Sequence, residues 1–483
     1  MVQSAQGSEL GDAAELGAVS DRGVRVWVRR PAVAQVSVRL EVEGHPPVTA
    51  SVQPAAETDW TAATELSLPE PAPDRAFVCT VGERRLTGRL AASPGTHAGL
   101  VFGFGSCHQP FQEAPGGGIE AHVGAGIYPA AREHLRGVDA RFLLLLGDQL
   151  YSDALPSLNV QRGLTESATP SHEELLERYR RVARLYFAQP GYRALREAFP
   201  TYCMWDDHEI FDNWGSHLRR SQLDLSLFEA ASRVFCEYQG LRNPGGRIGP
   251  PPYYFSFRHG DIGFLVLDMR SARDHERGLM LGAEQWEWLQ ASLCHELERE
   301  VQTLFVCVTV PVVHSARWLG KAFDRVPGSY GDSVRDRWAS RRFVECRDMF
   351  LAELFAWQAR LPERQLFLLA GDVHAANGYS IHERGGTGVL HQFTSSAFSV
   401  LPGLEARMMN LVAAQAPNRF EPRWRFHRHF QCHENNFGTV RVEPLPPGGH
   451  RVTFQLMAWE PASGTLVPRG QMVCEPGATG HET

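Results

Sequence analysis

The sequence predicts an α/β protein of layered sheets with flanking helices, an α+β arrangement, preceded by a small all-β sandwich. Three observations carry that prediction. From about residue 100 onward, apolar runs without polar interruption recur, as expected of strands buried on both faces. Helical apolar stripes stand between those runs. Residues 18–90 instead alternate apolar and polar positions, the period of half-buried strands, with no helical pattern between them.

In chain order, residues 1–16 are expected to form a flexible N-terminus, and residues 17–92 the antiparallel β-sandwich. Its strands include Val24-Arg25-Val26-Trp27-Val28 and the alternating run Val36 to Val42, with Glu43-Gly44-His45-Pro46-Pro47 as a turn. Ala92-Ser93-Pro94-Gly95-Thr96 reads as a linker. Beyond it, the clearest buried strands are Phe142 to Leu146, Ile262 to Leu267, Leu304 to Val308 and Leu366 to Ala370. Ser171 and Glu174 form a capping box that opens a helix through about Phe187. The stripes Trp286, Leu289, Leu293 and Phe343, Cys346, Phe350, Leu354 are core faces of two further helices. Leu155 to Ser171 is polar and rich in turn formers, and is expected to lie as a loop over the functional site. Gly438 to Val442 and Val452 to Trp459 suggest a closing antiparallel pair, and residues 475–483 a flexible tail.

A net charge of -7 without a Lys/Arg block argues against a nucleic-acid partner, whose binding needs clustered positive charge. No apolar stretch approaches the ~20 residues that span a bilayer, and Met1 to Glu15 has neither a basic start nor an apolar core. The sequence as given is therefore expected to be cytoplasmic, although a processed, exported form would look the same. Nine scattered cysteines without a C-x-x-C pair read as free thiols.

Five apolar runs end in residues able to hold a metal: Gly105-Ser106-Cys107, Gly147-Asp148-Gln149-Leu150-Tyr151, Asp206-Asp207-His208-Glu209, Val313-His314 and Gly371-Asp372-Val373-His374. Burying an unpaired charge is costly, so strand ends that carry such groups point to one shared ligand. In open α/β sheets that is also where ligands gather. Each residue has a plainer reading as well: Cys107 as an inert thiol, Tyr151 as a packed aromatic, His314 as a core histidine. Asp206 and Glu209 read best as carboxylates that orient neighbouring groups. Arg270 offers a fork for phosphate oxygens or a salt bridge to Asp268 or Asp274. Gly103-Phe104-Gly105 lacks the third glycine of a dinucleotide fingerprint. His427-Arg428-His429 with Cys432 and His433 matches no closed zinc site and reads as a solvated basic loop near the site's mouth.

These motifs, together with Trp205, Leu267-Asp268-Met269-Arg270, Leu281 to Trp286 and Glu434-Asn435-Asn436-Phe437-Gly438, resemble the alkaline phosphatase D (PhoD-like) metallophosphatases. Those enzymes are similar in site layout to purple acid and calcineurin-like phosphatases. The resemblance implies a metallophosphatase-like catalytic domain over residues 99–462. It implies that Asp148 bridges two metals, that Cys107, Tyr151 and His374 complete one site, and that Asp207 and Asp372 complete the other. It places His314 as a further ligand of the second site. Thiolate and phenolate donors favour Fe3+ at the first site, and the carboxylates favour Ca2+, or Mg2+ or Mn2+, at the second. His208 is implied as the acid/base group. The implied activity is hydrolysis of phosphate mono- or diesters by attack of a metal-bound hydroxide. The alternatives are a phospholipase-like phosphodiesterase acting on an anionic lipid or polymer, and a silent metal-binding module.

Overall fold

The computed structural model describes residues 9–165, 170–216, 221–296, 300–314, 329–361, 363–401, 421–446 and 448–477. The chain opens with two antiparallel sheets. One holds β1 (Ala13–Val19), β2 (Gly23–Arg29) and β5 (Thr61–Ser67) in the order β1-β2-β5. The other, in the order β4-β3-β6-β7, holds β3 (Val36–Val42), β4 (Val48–Val52), β6 (Ala76–Val81) and β7 (Arg84–Arg89). Along β3 burial alternates strictly, so Val36, Val38, Leu40 and Val42 face Val24, Val26 and Val28 across a shared core.

The order of the chain begins earlier than residue 17. Leu10 is buried and β1 starts at Ala13, because Glu15 is fully enclosed between Arg196 and Arg242. A buried acid in the middle of a strand breaks the apolar alternation, and that concealed β1 from the pattern.

After the linker come β8 (Leu100–Gly105), a short hairpin of β9 (Phe111–Glu113) and β10 (Ile119–Ala121), and then two larger sheets. The six-stranded sheet runs β12-β11-β8-β20-β21-β22, where β11 is Leu143–Leu146 and β12 is Thr201–Met204. Its remaining strands are β20 (Asn436–Pro444), β21 (His450–Glu460) and β22 (Thr465–Cys474). The closing antiparallel pair thus has a third member, β22, beyond the expected domain end at 462.

The seven-stranded sheet runs β13-β14-β15-β16-β18-β17-β19. Its strands are β13 (Phe255–His259), β14 (Ile262–Val266), β15 (Thr303–Cys307), β16 (Gln365–Ala370), β17 (Ala376–Glu383), β18 (Val389–Thr394) and β19 (Trp424–Cys432). The expected basic loop at His427 to His429 is therefore a strand, paired with β17, with His429 Nε2 lying 2.7 Å from Ser380 Oγ. One face is apolar, with Trp424, Phe426, Phe430 and Cys432, but the run His427-Arg428-His429 interrupts that alternation and masked the strand.

The two large sheets pack face to face through aromatic rings. Phe102 of β8 meets Phe264 and Phe305 at 5.3 Å, and Phe393 of β18 stacks on Phe454 of β21 at 4.4 Å. Helices cover the outer faces. On one side are α1 (Ile127–Gly137), α2 (His172–Ala188), α3 (Pro190–Ala198) and α4 (Gln222–Tyr238). On the other are α5 (Ala283–Ala291) and the helix Val344–Gln358, which bury Leu289, Phe350 and Leu354 against β14 to β16. The Ser171–Glu174 capping box opens α2 as expected. The described part of Leu155 to Ser171 is mostly turns, with Leu155, Leu158 and Val160 buried; residues 166–169 lie outside the described residues, as do 1–8 and 478–483.

Candidate metal centre and active site

β8, β11, β12, β14 and β16 are parallel neighbours within their sheets, so their carboxyl ends share one rim of the molecule. The turns beyond them are sharp. Cys107 (φ 61°), Asp148 (φ 56°), Asp372 (φ 64°) and His374 (φ 49°) all adopt the left-handed backbone that side chains normally avoid. Such residues cost of order 1 kcal/mol each and persist only where packing holds them, a signature of functional sites. The Gly-Asp pairs allow the close approach: a Cβ on Gly147 would lie 2.4 Å from Asp206 Cβ, and one on Gly371 2.3 Å from Ser106 Oγ.

The side chains converge in overlapping groups that share Asp148; besides the two described next, Asp148, Asp207 and His208 also bring donor atoms within 4.8 Å of one another. In the first, donor atoms of Cys107, Asp148 and His374 lie within 4.8 Å of one another. Asp148 Oδ2 is 3.3 Å from Cys107 Sγ and 3.4 Å from the Tyr151 hydroxyl, which in turn is 3.1 Å from His374 Nε2. In the second, Asp148, Asp206, Asp207 and Asp372 fall within the same 4.8 Å limit. Ser396 Oγ, 3.1 Å from Cys107 Sγ, supports the thiol, and Asn436 donates to the Ser396 carbonyl.

The electrostatics of this rim call for cations. Burial, together with the charges of Cys107 and Asp207, pushes the Asp148 carboxyl well above the usual range. Burial also raises the Cys107 thiol and the Tyr151 phenol. Burial, helped by His208 and Arg337, holds His374 down at about 4, so its imidazole is neutral and keeps a lone pair to offer. Asp207 Oδ1 is buried without a hydrogen-bond partner, facing the Arg270 guanidinium at 3.3 Å. Four carboxylates gathered within 4.8 Å exceed what the Arg270 guanidinium beside them can balance, so the donor set fits metal.

Around these groups, other residues position. His208 donates its backbone N–H to Asp148 Oδ1 at 3.3 Å, stacks on Tyr151 with ring centres 4.1 Å apart, and places Nδ1 2.8 Å from Asp153 Oδ1. Burial disfavours its charge, but Asp153, Asp207 and Asp148 outweigh that and hold it as imidazolium. Glu209 accepts backbone N–H groups of Asp148, Gln149 and Asp206 at 2.9, 2.7 and 2.8 Å, so it ties two of the turns together.

Arg270 corrects an expectation. Its salt bridges are not to Asp268 or Asp274 but to Asp206, to Asp207 at 3.3 Å, to Asp336 at 2.7 Å and to Asp372 at 3.9 Å, with a further hydrogen bond to the Trp214 carbonyl at 3.1 Å. It is fully buried and engaged on all its nitrogens, which makes it a strut beneath the carboxylates rather than an open phosphate fork. His314 is buried at 5 % exposure and, among the described residues, stands outside both converging groups. Sequence reasoning missed Asp153, Asp336 and Arg337, which donates to Asp372 Oδ2. Asp153 follows Asp148 by five positions and had a local signal; Asp336 and Arg337 follow no buried strand and had none.

A family model described as PhoD-like phosphatase matches residues 102–446, most of the chain. The chain belongs to the PhoD-like phosphatase family. Alkaline phosphatase D of Bacillus subtilis strain 168 is 24% identical over 212 residues, which is 39% of this chain and 34% of that protein. The chain thus spans about a third of the length of that relative. A solved structure of PhoD superimposes with a TM-score of 0.69 at 16% identity, covering 96% of this chain and 90% of that one. Purple acid phosphatase PPD1 from yellow lupin (Lupinus luteus) seeds gives 0.56 at 10% identity, covering 96% and 74%. At these identities the likeness shows a shared fold, including paired sheets whose strand ends meet at one rim. Membership of the PhoD-like family implies metal cofactors, which the donor set accommodates.

Proposed function

We propose that this PhoD-like protein is a two-metal phosphoesterase that hydrolyses phosphate mono- or diesters. The observation that carries the reading is the sharing of Asp148 between two groups of unlike donors. Cys107, Tyr151 and His374 would hold Fe3+, since thiolate and phenolate are anionic, strongly donating ligands. Asp207 and Asp372 would hold Ca2+, or another hard divalent ion, with Asp148 common to both. When bound, such a pair neutralises phosphoryl oxygens and lowers the pKa of water from ~15.7 towards ~7.

The chain's own residues supply the rest. His208, held as imidazolium by Asp153, carries a proton for the leaving alcohol, a role typically worth ~10² to 10⁴ in rate. Arg270 keeps Asp206 and Asp207 in register from below, and Arg337 flanks Asp372. Membership of a phosphatase family supports phosphoester chemistry, and the cluster of carboxylates supports the need for cations.

Assays of the metal-loaded protein with p-nitrophenyl phosphate and bis-p-nitrophenyl phosphate test this reading. Turnover of at least one is expected, and Asp148→Asn should abolish it while lowering both metals on elemental analysis. Full occupancy without turnover of either substrate would favour the silent module. Phenolate and thiolate donation to Fe3+ should also colour the purified protein; a colourless sample devoid of iron would remove iron from the first site.

A further inference from the structure

The rim opposite the active site carries a second convergence of ligand-type side chains. His97 lies in the linker before β8, Asp261 in the turn before β14, and His450 opens β21. Their donor atoms lie within 4.8 Å of one another. We propose that His97, Asp261 and His450 form a binding site for a divalent transition metal of the zinc type, separate from the active site and structural in role.

The site is built rather than incidental. Asp261 is buried at 2 % exposure, and its Oδ1 accepts the Ala98 N–H at 3.3 Å. His97 Nδ1 lies 2.8 Å from Asp261 Oδ2, and the two imidazole rings are 4.6 Å apart. His450 is fully buried. Its Nδ1 is 2.8 Å from Thr303 Oγ1, while its Nε2 faces Asp261 Oδ1 at 3.3 Å. Two imidazoles that converge on one buried carboxylate place three ligand-type donors around a common point. Thr303 fixes the far nitrogen of that ring, as outer groups do for metal-bound histidines.

Chemistry selects the class of ion. Two imidazoles and one carboxylate suit zinc and its borderline neighbours, whereas calcium and magnesium take oxygen donors. Zinc bonds of about 2.0 to 2.2 Å set tetrahedral donors about 3.4 Å apart; His450 Nε2 lies 3.3 Å from Asp261 Oδ1, and the exposed His97, with Nδ1 2.8 Å from Oδ2, would draw back slightly to admit the ion. His97 is 36 % exposed on its side chain, which leaves an entry path and room for a water as fourth ligand.

The position explains what such an ion would do. The linker is already laced to the turn before β14: Gly260 N–H to Ala92 carbonyl at 3.2 Å, Gly95 N–H to Gly260 carbonyl at 3.2 Å, Asp261 N–H to Thr96 carbonyl at 2.9 Å. An ion held by His97, Asp261 and His450 would pin the linker from the front sandwich to both large sheets at once.

The full chain, with the metals it carries from purification, is titrated with zinc and freed of excess. His97→Ala, at a partly exposed position, should retain one zinc equivalent less than the unsubstituted protein by elemental analysis, with equal phosphoesterase turnover and a lower zinc-dependent rise in thermal midpoint. His97→Gln serves as a second, size-conserving variant. Anomalous diffraction at the zinc edge should give a peak among the three side chains. Equal zinc content in all three proteins, or no peak at this position, would overturn the proposal and leave the trio an ion-paired cluster.

Discussion

On the proposed function, in which His208 is the acid, Asp153 is the carboxylate that positions it. By accepting the His208 Nδ1 proton at 2.8 Å it fixes the ring and raises its pKa, leaving Nε2 as the nitrogen that delivers a proton. Asp153→Asn should lower kcat by about 10- to 100-fold, the usual cost of removing such a positioning group. Because a proton donor is lost as pH rises through its pKa, the alkaline limb of the kcat profile should move to lower pH. Metal content should not change. A limb that stays in place would assign Asp153 a purely structural role.

At the scale of elements, Glu209 links the turn after β11 to the turn after β12. Burial raises its carboxyl to about 7 against the pull of its donors, the backbone N–H groups of Asp206, Gln149 and Asp148 and the Gln239 amide, 3.2 Å away. Glu209→Ala strands three buried N–H groups, each costing about 1 to 3 kcal/mol, so a loss of about 3 to 9 kcal/mol is expected in chemical denaturation. A loss below about 1 kcal/mol would mean that water replaces the clamp. The strand ends were legible because an apolar run stopping at Gly-Asp or Ser-Cys is a local signal, and the Ser171–Glu174 box is local too. Strands β19 and β22 were not: in one, His427-Arg428-His429 interrupts the apolar face of Trp424, Phe426, Phe430 and Cys432, and the other contains Pro468 and Gly470. Nor was the duty of Arg270 legible, since Asp336 lies 66 positions away and no periodicity links them.

Over the whole molecule, the front sandwich is joined to the catalytic layers by charge as well as by chain. Glu15 of β1 lies fully buried with Arg196 at 2.8 Å and Arg242 at 3.1 Å. Burial alone would raise its pKa, but the two arginines outweigh it and hold the carboxyl below its usual value. The stability this supplies is complete above the unfolded carboxylate pKa of about 4.3 and is lost as pH falls through the lower folded value. Glu15→Gln should cost about 3 to 5 kcal/mol at neutral pH, by leaving buried guanidinium charge without its counter-ion. The acid branch of the stability profile, followed by denaturation midpoints, should flatten in that variant. An unchanged branch would show that other carboxylates govern it.

The face-to-face packing of the two large sheets has a further consequence. Asp148 rides on one sheet and Asp372 on the other, with Phe102, Phe264, Phe305, Phe393 and Phe454 between the layers. The sheets behave as the jaws of a caliper whose opening is set by ring volume. On the two-metal reading, trading one core aromatic for another would therefore change the ion size that fits between Asp148 and Asp372 without changing either residue.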